Sequence, residues 1–542
     1  MALGKRRTVL RALTGGCNHA EDVFSVQPDE AYRLINCHID DNGRAFTRKG
    51  KNAMFSAAAL NGAVTSIYDF RRPDGSSYAQ TVLVTAGEKV YTLNTSTGVA
   101  TESTGLNSTD RPDWATFQDS NGTYYAFMCN GTDFFKFDGT TWTNAAASYP
   151  WTDCQPRYLQ VYDNRLLASG LDSDPRTVFV SGLLDGTDWL SGEGSTAVYW
   201  SLKSMSGDRV TGLGAMYNYG VLFTNRSIDI ITEADADSTT SEQITVSYEY
   251  GTTSNWSIQS ISNVIYFADE MHIYRGVLRQ AIDNGLEVYP IDGNVQRLYG
   301  TIGVTNDIVS VYDAKNREIY WSIQVSGQTT YNKALVYNLW LSGDKGKGHR
   351  DIWSGWFEGA GFEAYSWGSV LDSTGKPVLY CGDEAGYVYS FDVSTQYKDE
   401  TVAATVITSN AIITDIWTGA IYPYDISVIK RARTATPKLY SKQDGAAAIQ
   451  WIVDGRYCAP EYTTLTNLVP EWNAANLEQA QVWGDTVVTT YNNIMSKSVT
   501  VDEPFKYIQF RIRCLGTNDE DEISYVGLEL WYQTHNLRRD IG

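Results

Sequence analysis

Seven short runs of β-branched and aromatic residues recur along the chain: Val90-Tyr91-Thr92-Leu93, Phe134-Phe135-Lys136-Phe137, Val178-Phe179-Val180-Ser181, Ile228-Asp229-Ile230-Ile231, His272-Ile273-Tyr274, Leu335-Val336-Tyr337 and Val388-Tyr389-Ser390-Phe391. They start at 90, 134, 178, 228, 272, 335 and 388, giving steps of 44, 44, 50, 44, 63 and 53 residues. Most follow a second such run across a tight polar turn, as Val82-Leu83-Val84 precedes Ala86-Gly87-Glu88. Gly and Asp accept the positive φ angles of a short return, so each pair of runs predicts a β-hairpin. A hairpin repeated on this period, with another strand pair fitted between, predicts the blades of a β-propeller. No single blade buries both of its faces, so the ring must close for any of it to be stable.

Seven blades take roughly 300 residues at about 40 to 45 each, and the chain has 542. The expected division is an N-terminal extension over 1–62, an all-β propeller of about seven blades over 63–396, and a C-terminal β-sandwich-like domain over 397–542. The blades are expected at 64–98, 114–142, 158–189, 210–233, 258–289, 304–341 and 353–391, and the 63-residue step leaves room for a partial blade. Trp142 and Trp189 each follow an Asp-Gly turn. Such an indole either wedges between blades or stacks on a ligand. In the last domain, Ile508, Phe510, Ile512 and Cys514 alternate with Gln509, Arg511 and Arg513, and Val526, Leu528 and Leu530 alternate likewise. That period of two puts the apolar set on a core and the arginines on an open face. The only helical expectation is a turn or two over Pro28–Leu34.

The chain carries 63 Asp plus Glu against 43 Lys plus Arg, a net charge of −20. Such a surface repels a phosphate backbone, which argues against sequence-specific DNA binding and suits a surface that nucleic acid slides past. Seven cysteines (Cys17, Cys37, Cys129, Cys154, Cys381, Cys458, Cys514) show no CxxC spacing. A dispersed odd set predicts neither a disulfide framework nor a zinc site, and fits synthesis in a reducing cytoplasm. The five histidines, His19, His38, His272, His349 and His535, make no metal-ligand spacing. Asp235-Ala236-Asp237 lacks the glycine and distal glutamate of a calcium loop. There is no Gly-x-Ser-x-Gly elbow and no P-loop, no apolar run of 18 residues, and no apolar stretch behind Lys5-Arg6-Arg7. The expectation is a non-enzymatic chain without cofactor, metal site or membrane-spanning segment.

Two basic tracts stand out against the acidic background. Arg44, Arg48, Lys49 and Lys51 lie in one expected hairpin, and Lys345, Lys347 and Arg350 in a glycine-rich loop. The first tract is either a contact for an acidic partner or a sister subunit, or a solvated hairpin; the second is either a mobile loop touching a neighbour or DNA, or a plain solvent loop.

The Gly15-Gly16-x-Asn18 opening, the Pro28-Asp29-Glu30-Ala31 segment leading to Asn36, and the Arg44-x-Phe-x-Arg48-x-Gly50 hairpin stand in that order ahead of a propeller. Together they resemble the start of the tail nozzle or hub (stabilisation) proteins of short-tailed bacteriophages. The strand Phe505-Lys506-Tyr507-Ile508-Gln509-Phe510-Arg511-Ile512-Arg513 is similar to the C-terminal region of the same family. The resemblance implies a structural virion subunit in a homohexameric ring, docked to head-to-tail adaptor proteins above and to fibres or a needle below. Genomic DNA would pass non-specifically through its negatively charged channel at ejection. The rival reading from the residues is a glycan-binding or glycan-hydrolysing propeller, with aromatics stacking on sugar, or a receptor-binding tail protein.

Overall fold

All seven recurring runs occupy the same place in the structure: each is the third strand of a group of four antiparallel strands, six of these groups being separate sheets and the one with Leu335-Val336-Tyr337 part of a larger sheet. A computed structural model describes residues 6–56, 59–75, 77–145, 155–189, 196–202, 208–216, 219–232, 243–279, 285–303, 307–344, 349–392, 397–403, 405–423, 429–441, 445–465, 494–496, 498–515 and 523–534. Nearly all of the regular structure among them is β; one four-residue helix, Gln296–Tyr299, and 3-10 turns at Asn255–Ser257 and Gly293–Val295 are the exceptions.

Sheets one to five follow in sequence order, each antiparallel throughout. Sheet one is Val64–Asp74, Ser77–Ala86, Lys89–Leu93 and Ala100–Gly105; sheet two is Asp113–Gln118, Tyr124–Cys129, Phe134–Phe137 and Trp142–Asn144. Sheet three is Tyr158–Tyr162, Arg165–Ser169, Thr177–Val180 and Val198–Ser201, and sheet four is Val210–Met216, Tyr219–Thr224, Ile228–Ile231 and Gln243–Ser247. Sheet five is Gln259–Ile261, Val264–Ala268, Ile273–Arg279 and Gly285–Pro290. Sheet six is Val309–Asp313, Glu318–Ile323, Lys333–Asn338 and Trp353–Glu358. Sheet seven is Ser366–Leu371, Pro377–Gly382 and Val388–Phe391, and its fourth strand, Lys51–Ala53, comes from the N-terminal segment.

The first strands of consecutive sheets lie against one another, and the first strand of sheet seven lies against that of sheet one. The seven sheets therefore follow one another in a closed order, with apolar clusters filling the gaps. Phe117, Phe127 and Phe134 of sheet two pack on Leu159 and Leu166 of sheet three, for example, and Val64 and Val84 of sheet one pack on Val370 and Val388 of sheet seven. Trp189 is buried in the first of these gaps, 6.1 Å from Phe134, while Trp142 stacks on Phe137 at 4.6 Å and donates to Ser103 Oγ in sheet one.

Three expectations change. Trp353–Glu358, expected to open the last blade, is the outer strand of sheet six; both its faces are buried, Trp353 and Trp356 in one apolar cluster and Phe357 in another, and Glu30–Ile35 pairs with its far edge. The expected turn of helix near Pro28–Leu34 is that strand, Glu30–Ile35, its conformation set by pairing with Ile413–Thr418 rather than by local propensity. The long step before sheet six holds the Gly293–Tyr299 turns and no extra sheet among the described residues.

The expected three-part division is interlaced in space. Sheet six continues through Glu30–Ile35 into Ile413–Thr418, Ile508–Leu515 and Gly445–Val453, making one 11-stranded sheet. An eight-stranded sheet built around Ile523–Thr534 and Lys430–Ser441 takes in Arg6–Leu10, Cys37–Ile39 and Ala45–Thr47 from the N-terminus. The two share one core with Leu34, Ile416, Leu439, Ile449, Ile512 and Leu530. Ile508, Phe510, Ile512 and Cys514 point into it as the alternation predicts, and Leu528 and Leu530 do the same. The arginine face is covered rather than open: Arg511 pairs with Asp415 and lies 4.8 Å from the Trp417 ring.

Candidate functional site

Where the seven first strands converge they enclose a cavity of about 380 Å³ with residues of every sheet on its wall. Arg111-Pro112-Asp113-Trp114, leading into sheet two, supplies its charges. Arg111 is buried, donates to the carbonyls of Thr65 (2.5 Å) and Tyr365 (3.0 Å), and lies over the Tyr365 ring at 4.7 Å. Asp113 accepts the Leu159 N–H at 2.8 Å, the Trp114 N–H at 2.9 Å and the Asn255 amide at 3.0 Å. Burial lifts its pKa to about 6 against the lowering effect of those three donors. The Asn255 bond joins sheet two to the turn before sheet five, and Trp256 beside it lies 5.5 Å from Arg111, so side chains bridge the axis. A void of this size is that of a small-molecule pocket, and a DNA duplex does not fit along it.

A second concentration of charge lies where the N-terminal segment meets sheets six and seven. His38 donates from Nδ1 to Glu318 at 2.6 Å, and its Nε2 stands 3.5 Å from Asp392. Burial opposes the imidazolium, but Glu318 and Asp392 outweigh it and raise its pKa to about 10. Burial likewise pushes Asp392 up, yet His38 and Lys315 hold it well below the usual carboxylate range. Wholly buried Glu318 stays above that range despite its imidazolium partner. It also accepts from Ser354 Oγ, at 2.6 Å.

The basic hairpin enters the same joint. Arg48 has no exposed surface; it holds Asp399 with two bonds of 2.9 and 2.5 Å, donates to Asn36, and lies 5.1 Å from the Phe362 ring. Lys51 is equally buried, its Nζ 4.0 Å over the Tyr389 ring and donating to the Glu363 carbonyl. The expectation that these two touch a neighbouring subunit is corrected here: both are consumed inside their own chain. Lys49 is half-buried and gives its backbone N–H to Asp392, and Arg44 pairs with Asp40 at 3.0 Å. Arg350 pairs with Asp29 and Glu30 across to the N-terminal segment while keeping an exposed face. Lys345, Lys347 and the Asp235-Asp237 stretch lie outside the described residues. The structure thus gathers Arg48, Lys49 and Lys51 into one joint and leaves Arg44 and Arg350 at the surface. His38, Glu318, Asp392 and Asp399 carry no local signal, because each lies far in sequence from its partner.

No group of three or more His, Cys, Asp or Glu among the described residues is arranged to hold a metal ion. No described helix is long and apolar enough to cross a membrane.

No family model matches the chain, and no curated protein does. Among solved structures, a chain of the crystal structure of the mitotic checkpoint complex is similar at 10% identity and a TM-score of 0.37, over 64% of this chain and 92% of that one. The extracellular domain of the putative one component system BT4673 from B. thetaiotaomicron is similar at 11% identity and a TM-score of 0.41, over 81% of this chain and 57% of that one. Neither likeness is close enough to carry an argument about function.

Proposed function

We propose that the seven sheets are the blades of a β-propeller fused to a β-sandwich, and that the chain is a non-enzymatic structural subunit of a short bacteriophage tail. In this reading it is the nozzle or hub: its copies form a ring around an acidic channel that conducts the genome, between the adaptor proteins and the distal tail parts. One observation carries the reading. Several of the residues that bear the family resemblance, Asn36, Arg48 and Gly50 among them, meet at the joint that binds the N-terminal segment to the propeller and the sandwich. Asn18 donates to Glu30 at 2.9 Å; Asn36, at a φ of 57°, bonds the carbonyls of Glu358 and Ile413 and accepts from Arg48; and Gly50 lies flat against the Lys398 backbone. Asn36, Arg48 and Gly50 thus serve one three-way contact. The bridged axis adds that any passage for DNA must run between copies, and the −20 charge of each copy suits walls that do not grip a phosphate backbone.

Electron microscopy of the purified full-length chain tests this. Discrete rings with a central hole as wide as a duplex are expected, and antibody labelling should place the protein on virion tails. A protein that stays monomeric at every concentration overturns it.

The axial cavity favours a second reading, a glycan-binding propeller, because Trp114, Trp256 and the raised carboxyl of Asp113 share its wall. Asp113 is the one carboxylate among the described residues on that wall, which fits binding better than two-carboxylate hydrolysis. Loss of polysaccharide binding in Trp256→Ala, with the fold intact, would support it.

A further inference from the structure

Beyond the outer strand of sheet seven stands a hairpin of Lys398–Ala403 and Val406–Ala411, paired in continuous register with no bulge. Its inner strand guards the edge of Lys51–Ala53: Asp399 accepts the Lys51 N–H at 3.2 Å and Glu400 accepts the Ala53 N–H at 2.8 Å. Its outer strand is unguarded. Val406–Ala411 pairs with Lys398–Ala403 alone among the described strands and is exposed along most of its length, with Val406 at 62% and Ile407 at 45%. The sequence Val-Ile-Thr-Ser-Asn-Ala has no charge and no proline, the devices by which proteins protect a free edge. The buried Arg48–Asp399 pair anchors the inner strand of the hairpin, and the outer strand paired to it presents an edge that can accept another strand.

In a closed order of seven, the position facing sheet seven is the boundary of sheets three and four. Sheet three ends there in another uncharged edge strand, Val198–Ser201, on which Tyr199 is 60% exposed. The outer strands of sheets one and five carry Glu102 and Glu287, that of sheet two is only three residues long, and that of sheet four, Gln243–Ser247, is uncharged too but has no exposed residue, Ile244 and Val246 packing on the core. Copies that each carry −20 repel one another, which leaves neutral strips such as these as the surfaces on which they can meet.

We propose that Val406–Ala411 of one copy adds as a strand to Val198–Ser201 of sheet three in the next copy. The two strips lie on opposite sides of the chain and differ from each other, so the contact is head-to-tail rather than two-fold, and it gives a ring where the turn from copy to copy closes. This inference rests on the ring reading above.

The test measures the mass of the full-length protein by light scattering. Wild type should run as a multiple of the chain mass, and Ile407→Lys and Tyr199→Lys each as a monomer with unchanged thermal melting. An equimolar mixture of the two variants should give dimers, since it retains one intact strip of each kind; Val406→Glu replaces Ile407→Lys if the latter does not fold. Rings that persist in both variants overturn the inference and leave the ring reading standing. Loss of rings in Ile407→Lys but not in Tyr199→Lys also overturns it, because the hairpin then meets another surface or its own copy. A wild type that is monomeric throughout removes the ring reading itself.

Discussion

Arg48 is among the largest side chains that the fold conceals completely. A guanidinium in that position is tolerable only because Asp399 meets it with two bonds, and removing one partner leaves the other charge buried and unpaired. Arg48→Met should therefore cost about 3–5 kcal/mol in urea unfolding, and adding Asp399→Leu should restore much of it. Local sequence makes Arg48 look like a solvated surface cation, because its partner lies 351 residues away. His38 is hidden in the same way, 280 residues from Glu318. Its pKa near 10 in the folded chain exceeds the unfolded value of about 6.5, so its contribution is complete below about pH 6.5 and is lost as the pH rises toward 10. Thermal melting should fall across that interval in wild type and change much less in His38→Gln, after allowance for the general loss.

At the scale of the element, what could be read in advance follows from burial. A third strand lies between two neighbours and packs on both faces, as Ile228–Ile231 does with all four residues buried, so it appears as a mostly apolar run, here broken only by Asp229. Outer strands such as Val198–Ser201 are half exposed and merge with the loops in sequence. Trp353–Glu358 reads as part of the next sheet for the converse reason: a strand from the N-terminal segment pairs with its edge, so it looks central. The closing strand of sheet seven depends on Gly50, where any Cβ would collide with the Lys398 carbonyl. Gly50→Ala should push the 398–411 hairpin off its seat and expose the edge of Lys51–Ala53. Hydrogen exchange should speed up in both strands, with little change in sheets two to four.

Across the whole molecule, the propeller and sandwich of the proposed architecture do not meet at a linker. The 11-stranded sheet runs from one into the other, and both gain strands from the first 53 residues. Calorimetry of the full chain should accordingly show one main unfolding transition rather than two, and removing residues 1–53 should destabilise both parts together. None of this coupling was legible in sequence, where the extension looked separable because its pairing partners are hundreds of residues away.

The clasp of sheet seven has a cost in time. Ala53 pairs with Tyr389, so the segment made first must wait for a partner synthesised more than 330 residues later. At ribosomal speeds of about 5–20 residues per second that wait is on the order of half a minute. Throughout it, a nascent circle with no fastener displays its raw inner seams to solvent, and a chaperone or an early-arriving sibling would find its opening there.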